Sequence, residues 1–277
     1  MMAPEERARF SDACAYIAEQ ERNEEGIGTL SEKSLHKILK RFYGGDADTC
    51  EVRISPDGSA RLPSEAGEEP RRAESGRGGY IADICREGRI YEIQTGSFLA
   101  LKRKLEFYLL HTDFSVTVVY PVAAVKWLCW ISPEDGNVSG HRRSPKRGSG
   151  REILPEMFWI SEFLEHPRLT FEVPLLELCE YRLLDGWSGD RKKGSHRYER
   201  IPASLSEILR GNARALAEEL MPESLPDKFT ASEASKALKM RGKKLYAALK
   251  TLCTLGLLTR SEQREGRSYV FYQTKFL

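Results

Sequence analysis

The sequence predicts an α/β protein: a mixed sheet flanked by helices, followed by a small helical module that ends in a hairpin. Three observations carry that expectation. Apolar residues recur at helical spacing near residues 32–43 and 98–111, and short β-rich runs lie between and after them. The resulting order is helix, strand, hairpin, helix, strand. Past residue 220, a stretch with two prolines separates a second set of short elements, so the expected domains are 1–220 and 221–277.

The 277-residue chain is long enough for one large domain and one small one. Its 40% hydrophobic and 30% charged residues are ordinary for a globular protein, and a net charge of +2 shifts the question of partners to how the charge is distributed. Cys14, Cys50, Cys85, Cys129, Cys179 and Cys253 are scattered without a C-x-x-C pair. That spacing argues against a structural zinc site and a disulfide framework, and it fits a reducing cytoplasm. No apolar run approaches the roughly 18 residues of a spanning helix, and MMAPEERARF lacks a signal-peptide core, so no membrane is expected.

Residues 4–22 read as a polar helix with a thin apolar stripe at Phe10, Cys14 and Ile17, docked on the domain surface or holding a partner. A glycine-containing loop spans 23–29. Ser31 then caps a helix from Glu32 to Tyr43 whose buried face is Leu35, Ile38, Leu39 and Phe42. Glu32 in its first turn either complements the helix dipole or positions a metal or water. Cys50–Ile54 is a short strand, and 55–79 is a loop or disordered insertion rich in Gly, Pro, Ser and charge.

Tyr80 to Phe98 (YIADICREGRIYEIQTGSF) reads as two strands around a tight turn at Glu87–Gly88. Pairing around that turn sets Cys85 opposite Ile90 and Asp83 opposite Glu92. One face then carries Tyr80, Ala82, Ile84, Tyr91 and Ile93, and the other Asp83, Glu92 and Gln94 with Ile81, Cys85 and Ile90. Opposed side chains stand about 5 Å apart, where like charges are unfavourable. Either the hairpin has one wet face on which the acids splay into water, or a divalent cation such as Mg²⁺ lies between them.

Asp, a short turn, then Glu-x-Gln on the next strand resembles the PD-(D/E)XK nuclease superfamily, in the branch that carries E-x-Q. In one uncharacterised bacterial group of that branch, a helix reading roughly E-R-S-L-H-x-x-L-K precedes the hairpin. Glu32-Lys33-Ser34-Leu35-His36-Lys37-Ile38-Leu39-Lys40 matches it. The resemblance covers about residues 30–205 and implies a restriction-endonuclease-like sheet. It implies that Asp83, Glu92 and the Ile93 carbonyl hold Mg²⁺ (or Mn²⁺). It further implies that Gln94 orients water where the family usually has Lys, and that Glu32 ligates through water or acts as base.

Ser97 caps the next helix, Phe98–His111, with Phe98, Leu101, Leu105 and Leu109 buried and Lys102 and Glu106 paired outside. Lys102, Arg103 and Lys104 are either a solvated face or, by the resemblance, a source of the charge that Gln94 lacks. Ser115–Val122 is a buried strand. Lys126–Ile131 and Val138–Arg143 form a second hairpin around Pro133–Gly136. Glu156–Glu165 is a helix with Met157, Phe158, Phe163 and Leu164 inside. Leu169–Leu183 is extended, alternating at Leu169, Phe171, Val173 and Leu175, with Pro174 at an edge or bulge. Residues 203–220 read as a helix.

Two basic loops interrupt this series. HRRSPKRGSGR carries Arg142, Arg143, Lys146 and Arg147, and RKKGSHRYER carries Arg191, Lys192, Lys193 and Arg197. Cations beside Gly and Ser suit phosphate, so DNA is the expected partner, against the alternative of solvated loops. Thr230 caps a short helix, and KKLYAALKTLCTLGLL forms the next. Leu257–Ser261 and Ser268–Gln273 then make a hairpin. This series resembles a winged helix-turn-helix. Arg241, Lys243 and Lys244 at the second helix and Arg267 on the wing would then touch DNA. Two functions follow: a metal-dependent endodeoxyribonuclease, or a non-catalytic DNA-binding regulator on a degenerate nuclease scaffold. Either acts as a homodimer or as a subunit of a DNA-processing or defence complex.

Overall fold

The computed structural model describes residues 3–23, 34–45, 49–62, 79–186, 194–266 and 268–274. In chain order the elements begin with α1 (Pro4–Asn23), α2 (Ser34–Gly44), β1 (Cys50–Ile54), β2 (Ala60–Arg61), β3 (Tyr80–Arg86), β4 (Arg89–Ile93) and α3 (Lys102–His111). There follow β5 (Ser115–Val119), β6 (Val122–Ile131), β7 (Val138–Arg143), α4 (Leu154–Met157), β8 (Leu169–Leu183) and β9 (His196–Gly211). The chain ends with α5 (Ala213–Leu220), β10 (Lys228–Thr230), α6 (Ala231–Leu238), α7 (Gly242–Thr254), β11 (Leu258–Glu265) and β12 (Ser268–Gln273). The class is mixed α/β, with helices flanking a large sheet that has both parallel and antiparallel pairs. No helix among the described residues is long and apolar enough to cross a membrane.

Two compact units share the chain. One holds Met1–Cys50, Pro121–Ser149 and Pro174–Ile208; the other holds Glu51–Tyr120, Gly150–Val173 and Leu209–Leu277. In the first, α1 buries Phe10, Ala13 and Ile17, and α2 buries Leu35, Ile38, Leu39 and Phe42, the stripe its spacing predicts. The rings of Phe10 and Phe42 meet edge to face at 5.5 Å. Here β6 pairs antiparallel with β7 and parallel with the C-terminal half of β8.

In the second unit, β1 pairs with β2 around a turn at Gly58, so the expected loop opens with a small hairpin. β3 and β4 are antiparallel, while β4–β5 and β5–β8 are parallel. Ile84, Ile90, Val116, Val118, Leu169 and Phe171 are fully buried in this part of the sheet. The segment from Lys228 forms a three-stranded sheet ordered β10-β12-β11 behind α6 and α7. It belongs to the same unit as the Asp83 hairpin, and α7 packs on α4, where Thr251 Oγ1 donates to the Leu154 carbonyl at 2.9 Å.

Several expectations need correction. The run Ser115–Val122 is not one strand: it breaks at Tyr120–Pro121 because proline offers no N–H to continue a ladder. Residues 203–220 are not one helix. β9 continues to Gly211, and only Ala213–Leu220 is helical, capped by Asn212, whose side chain accepts from the Ala215 N–H at 2.9 Å. The helix expected over Glu156–Glu165 starts at Leu154 and turns 3-10 from Phe158, with Ile160 at a non-helical φ of −123°. Phe98–Leu101 is likewise a 3-10 turn before α3. Lys102 pairs with Glu162 at 2.8 Å rather than with Glu106. The alternation of β8 changes phase at Pro174: Leu169, Phe171 and Val173 are buried, then Leu176 and Leu178, leaving Leu175 half-buried.

Candidate active site

The hairpin forms in the predicted register. Ile84 pairs with Tyr91, Cys85 with Ile90 and Arg86 with Arg89. Glu87 and Gly88 both take positive φ, 51° and 73°, which matches a two-residue turn to the twist of the strands. Asp83 turns its Oδ2 onto the backbone N–H of Ile93 at 2.8 Å. That bond brings the Asp83 carboxylate across to the end of β4, beside Glu92.

The acid-bearing face is not wet. Glu92 is 1% exposed because α3 covers it. Lys104 and Tyr108 lie one turn apart, on one face of that helix. The Lys104 ammonium donates to both Glu92 oxygens, at 3.0 and 2.8 Å, and to the Ile81 carbonyl at 2.8 Å. Tyr108 donates its hydroxyl to Glu92 Oε1 at 3.1 Å. Lys104 is thus not part of a solvated face; it is the counter-ion of a buried acid.

Burial pushes the Glu92 carboxyl up to about 7, the Lys104 ammonium opposes that rise, and the nearby Asp83 charge adds to it. The Tyr108 hydroxyl is also pushed up, first by burial and then by Glu92. The site is a buried carboxyl with a raised pKa, a second acid on the adjoining strand, and one ammonium bonded to the buried carboxyl. Gln94 sits at its rim: the side-chain amide donates to the Ser97 carbonyl at 2.6 Å, and its backbone N–H to the Val119 carbonyl at 2.9 Å. Gln94 therefore fixes the turn from β4 into the helix. Glu32 lies outside the described residues. Sequence reasoning missed Tyr108; its signal was the four-residue step from Lys104.

Arg142 and Arg143 are exposed on β7, so they stand on a strand and not in a loop. The Arg142 guanidinium lies 6.0 Å from the centre of the Trp130 ring. Lys146 and Arg147 are exposed in the segment that follows, and Arg197 is exposed on β9, where the charge of Arg200 lowers its pKa. Arg191, Lys192, Lys193 and Arg267 lie outside the described residues. These positions on β7 and β9 belong to the first unit and the acid pair to the second.

Arg241, Lys243 and Lys244 are all exposed at the start of α7. Along that helix runs a groove of about 1010 Å³, lined among others by Phe158, Trp159, Lys243, Tyr246, Lys250 and Tyr269. Lys250 Nζ lies 5.2 Å from the centre of the Phe158 ring. Cations interleaved with exposed aromatic rings can bind a phosphodiester backbone and stack its bases.

A protein of Treponema pallidum (strain Nichols) described as "Uncharacterized protein" is 27% identical to this chain over 254 residues, covering 88% of the chain and 86% of that protein. No solved structure matches the chain. The family described as "Domain of unknown function (DUF8091)" matches residues 62–211, a stretch that contains the hairpin, Lys104 and Tyr108. The chain belongs to that family.

Proposed function

We propose that the β3–β4 hairpin is the active site of a metal-dependent nuclease that hydrolyses phosphodiester bonds in DNA. One observation carries the reading: Glu92, buried and pushed up to about 7, shares its site with Asp83 and with the Lys104 ammonium 2.8 Å away. Two carboxylates and a carbonyl are a hard-oxygen donor set, which fits Mg²⁺ or Mn²⁺. Asp83, Glu92 and the Ile93 carbonyl would hold the ion. When bound, it would polarise the phosphoryl group and lower the pKa of a water. Lys104 brings the positive charge that Gln94 lacks and stabilises negative charge that develops on the phosphate. Gln94 acts as a positioning residue through Ser97. Tyr108 holds the Glu92 carboxylate in place through its hydroxyl. The exposed cations of β7, β9 and α7 attract the substrate backbone.

The test is incubation of the purified chain with plasmid, linear duplex and single-stranded DNA in Mg²⁺, Mn²⁺ or EDTA. Cutting is expected only with metal, and it is lost in both Asp83→Ala and Glu92→Ala. Lys104→Ala slows it by roughly a hundredfold or more. Full cutting by either acid variant sinks the assignment. A second reading, DNA binding without hydrolysis, draws on the bonds that Lys104 already makes to both Glu92 oxygens. Binding that persists in EDTA, with no cutting in either metal, selects it.

A further inference from the structure

Three side chains that sequence spacing does not connect converge in the first unit. Cys129 on β6, His141 on β7 and Cys179 on β8 place their ligand atoms within 4.8 Å of one another. The sheet brings them there. β6 lies between its two partners, and the register sets Cys179 directly beside Trp127. Trp127 and Cys129 lie two residues apart on one strand and therefore share a face. Leu128 pairs with Arg142 and Trp130 with Ser139, so Gly140 and His141 together stand against Cys129 alone. This is a β-bulge, a device that re-aims a side chain.

The bulge is written into the sequence at Gly140. Its φ is +66°, and a Cβ there would meet the Trp130 ring at 2.7 Å, so only glycine fits. The His141 ring then lies flat on Trp127, with centroids 4.5 Å apart and planes 4° apart. Trp127 is itself held, because its Nε1 donates to Glu177 at 2.6 Å. His141 Nε2 faces Cys179 Sγ at 4.0 Å.

We propose that Cys129, His141 and Cys179 form a binding site for a divalent ion of the zinc class, with two thiolates and one imidazole nitrogen as ligands. Soft sulfur with imidazole favours such ions over Mg²⁺. Around a tetrahedral Zn²⁺, with Zn–S about 2.3 Å and Zn–N about 2.0 Å, ligand atoms stand roughly 3.5–3.8 Å apart, so small side-chain rotations close the site. Cys129 is buried, Cys179 half-buried and His141 exposed, so an ion enters from the His141 side and its fourth position faces solvent. Binding releases one proton from each thiol that enters as thiolate. The stacked Trp127 and its Glu177 partner fix the imidazole, as outer-shell groups do. This site is independent of the acid pair, which has no sulfur and lies in the other unit.

The test uses the full chain, stripped by chelator and kept reduced, and titrated with Co²⁺ while thiolate-to-cobalt absorption is followed. The absorption is expected to saturate at one equivalent for this site and to be lost when Zn²⁺ displaces the cobalt. The absorption disappears in Cys129→Ser and Cys179→Ser. It persists in Cys253→Ser and in Asp83→Ala/Glu92→Ala. His141→Ala and Trp127→Leu each weaken binding by roughly tenfold or more. Circular dichroism confirms that each variant compared is folded; where Cys129→Ser is not, Cys179→Ser decides. The proposal fails if the folded wild type shows no thiolate-to-cobalt absorption, if the signal survives in folded Cys129→Ser or Cys179→Ser, or if those two thiols are found as a disulfide under reducing conditions.

Discussion

Glu92 has almost no contact with water, and its ionisation is the residue-scale quantity that ties stability to pH. Its folded pKa of about 7 lies above the ordinary 4.5, so between those values the folded state holds a proton that the unfolded state has lost. Stability in EDTA should therefore fall as pH rises from about 4.5 to about 7, by on the order of 3 kcal/mol. Glu92→Gln should flatten that slope; urea denaturation at both ends of the window checks it. Lys104→Met should cost roughly 2 kcal/mol at pH 8 and much less at pH 5, where Glu92 is already neutral. An equal loss at both pH values would mean that Lys104 contributes packing only. A second buried acid behaves differently. Burial raises the pKa of Glu180, but Lys126 and Arg200, each 3.1 Å away, outweigh it and leave the carboxyl below the usual range.

At the scale of elements, local patterns decide most of what forms. The Glu87–Gly88 turn sets the hairpin register, and the stripe Phe98, Leu101, Leu105 and Leu109 is buried as its spacing requires. α6 begins in a capping box: Thr230 accepts from the Glu233 N–H at 3.3 Å, and Glu233 accepts from the Thr230 N–H at 2.7 Å. Thr230→Ala should cost about 1 kcal/mol, read as a lower midpoint in thermal unfolding. β9 shows where pattern reading fails. Its buried positions Pro202, Leu205 and Ile208 fall three apart, which imitates a helical stripe. Ser204, Ser206 and Gly211 are weak helix formers, and Asn212 is the true start signal.

The whole molecule is built from two units, each assembled from three separated segments. A break in composition near residue 221 suggests a free-standing module, yet α7 lies on α4 and Thr251 is fully buried against the Leu154 carbonyl. Deleting residues 228–277 should expose Leu154, Met157 and Ile160, lower the unfolding midpoint of the remainder and raise its binding of a hydrophobic dye. An unchanged midpoint would show that the segment is energetically separate. Charge reversal at Lys243 and Lys244 should weaken DNA binding and reduce its salt slope by about one per lost phosphate contact, measured by titration at several salt concentrations.

By itself the sequence determined the α/β class, the Asp83–Glu92 hairpin with its register, and the order of the last two helices and the hairpin after them, though not the strand β10 that joins that hairpin. Turn chemistry and apolar period act over a few residues and leave their mark there. Only the tertiary structure decided that Lys104 closes over Glu92, that Tyr108 joins it, and that Cys129, His141 and Cys179 meet on one face. Those contacts depend on how α3 docks on the hairpin and on which strands become neighbours, which local turn chemistry and apolar period do not fix.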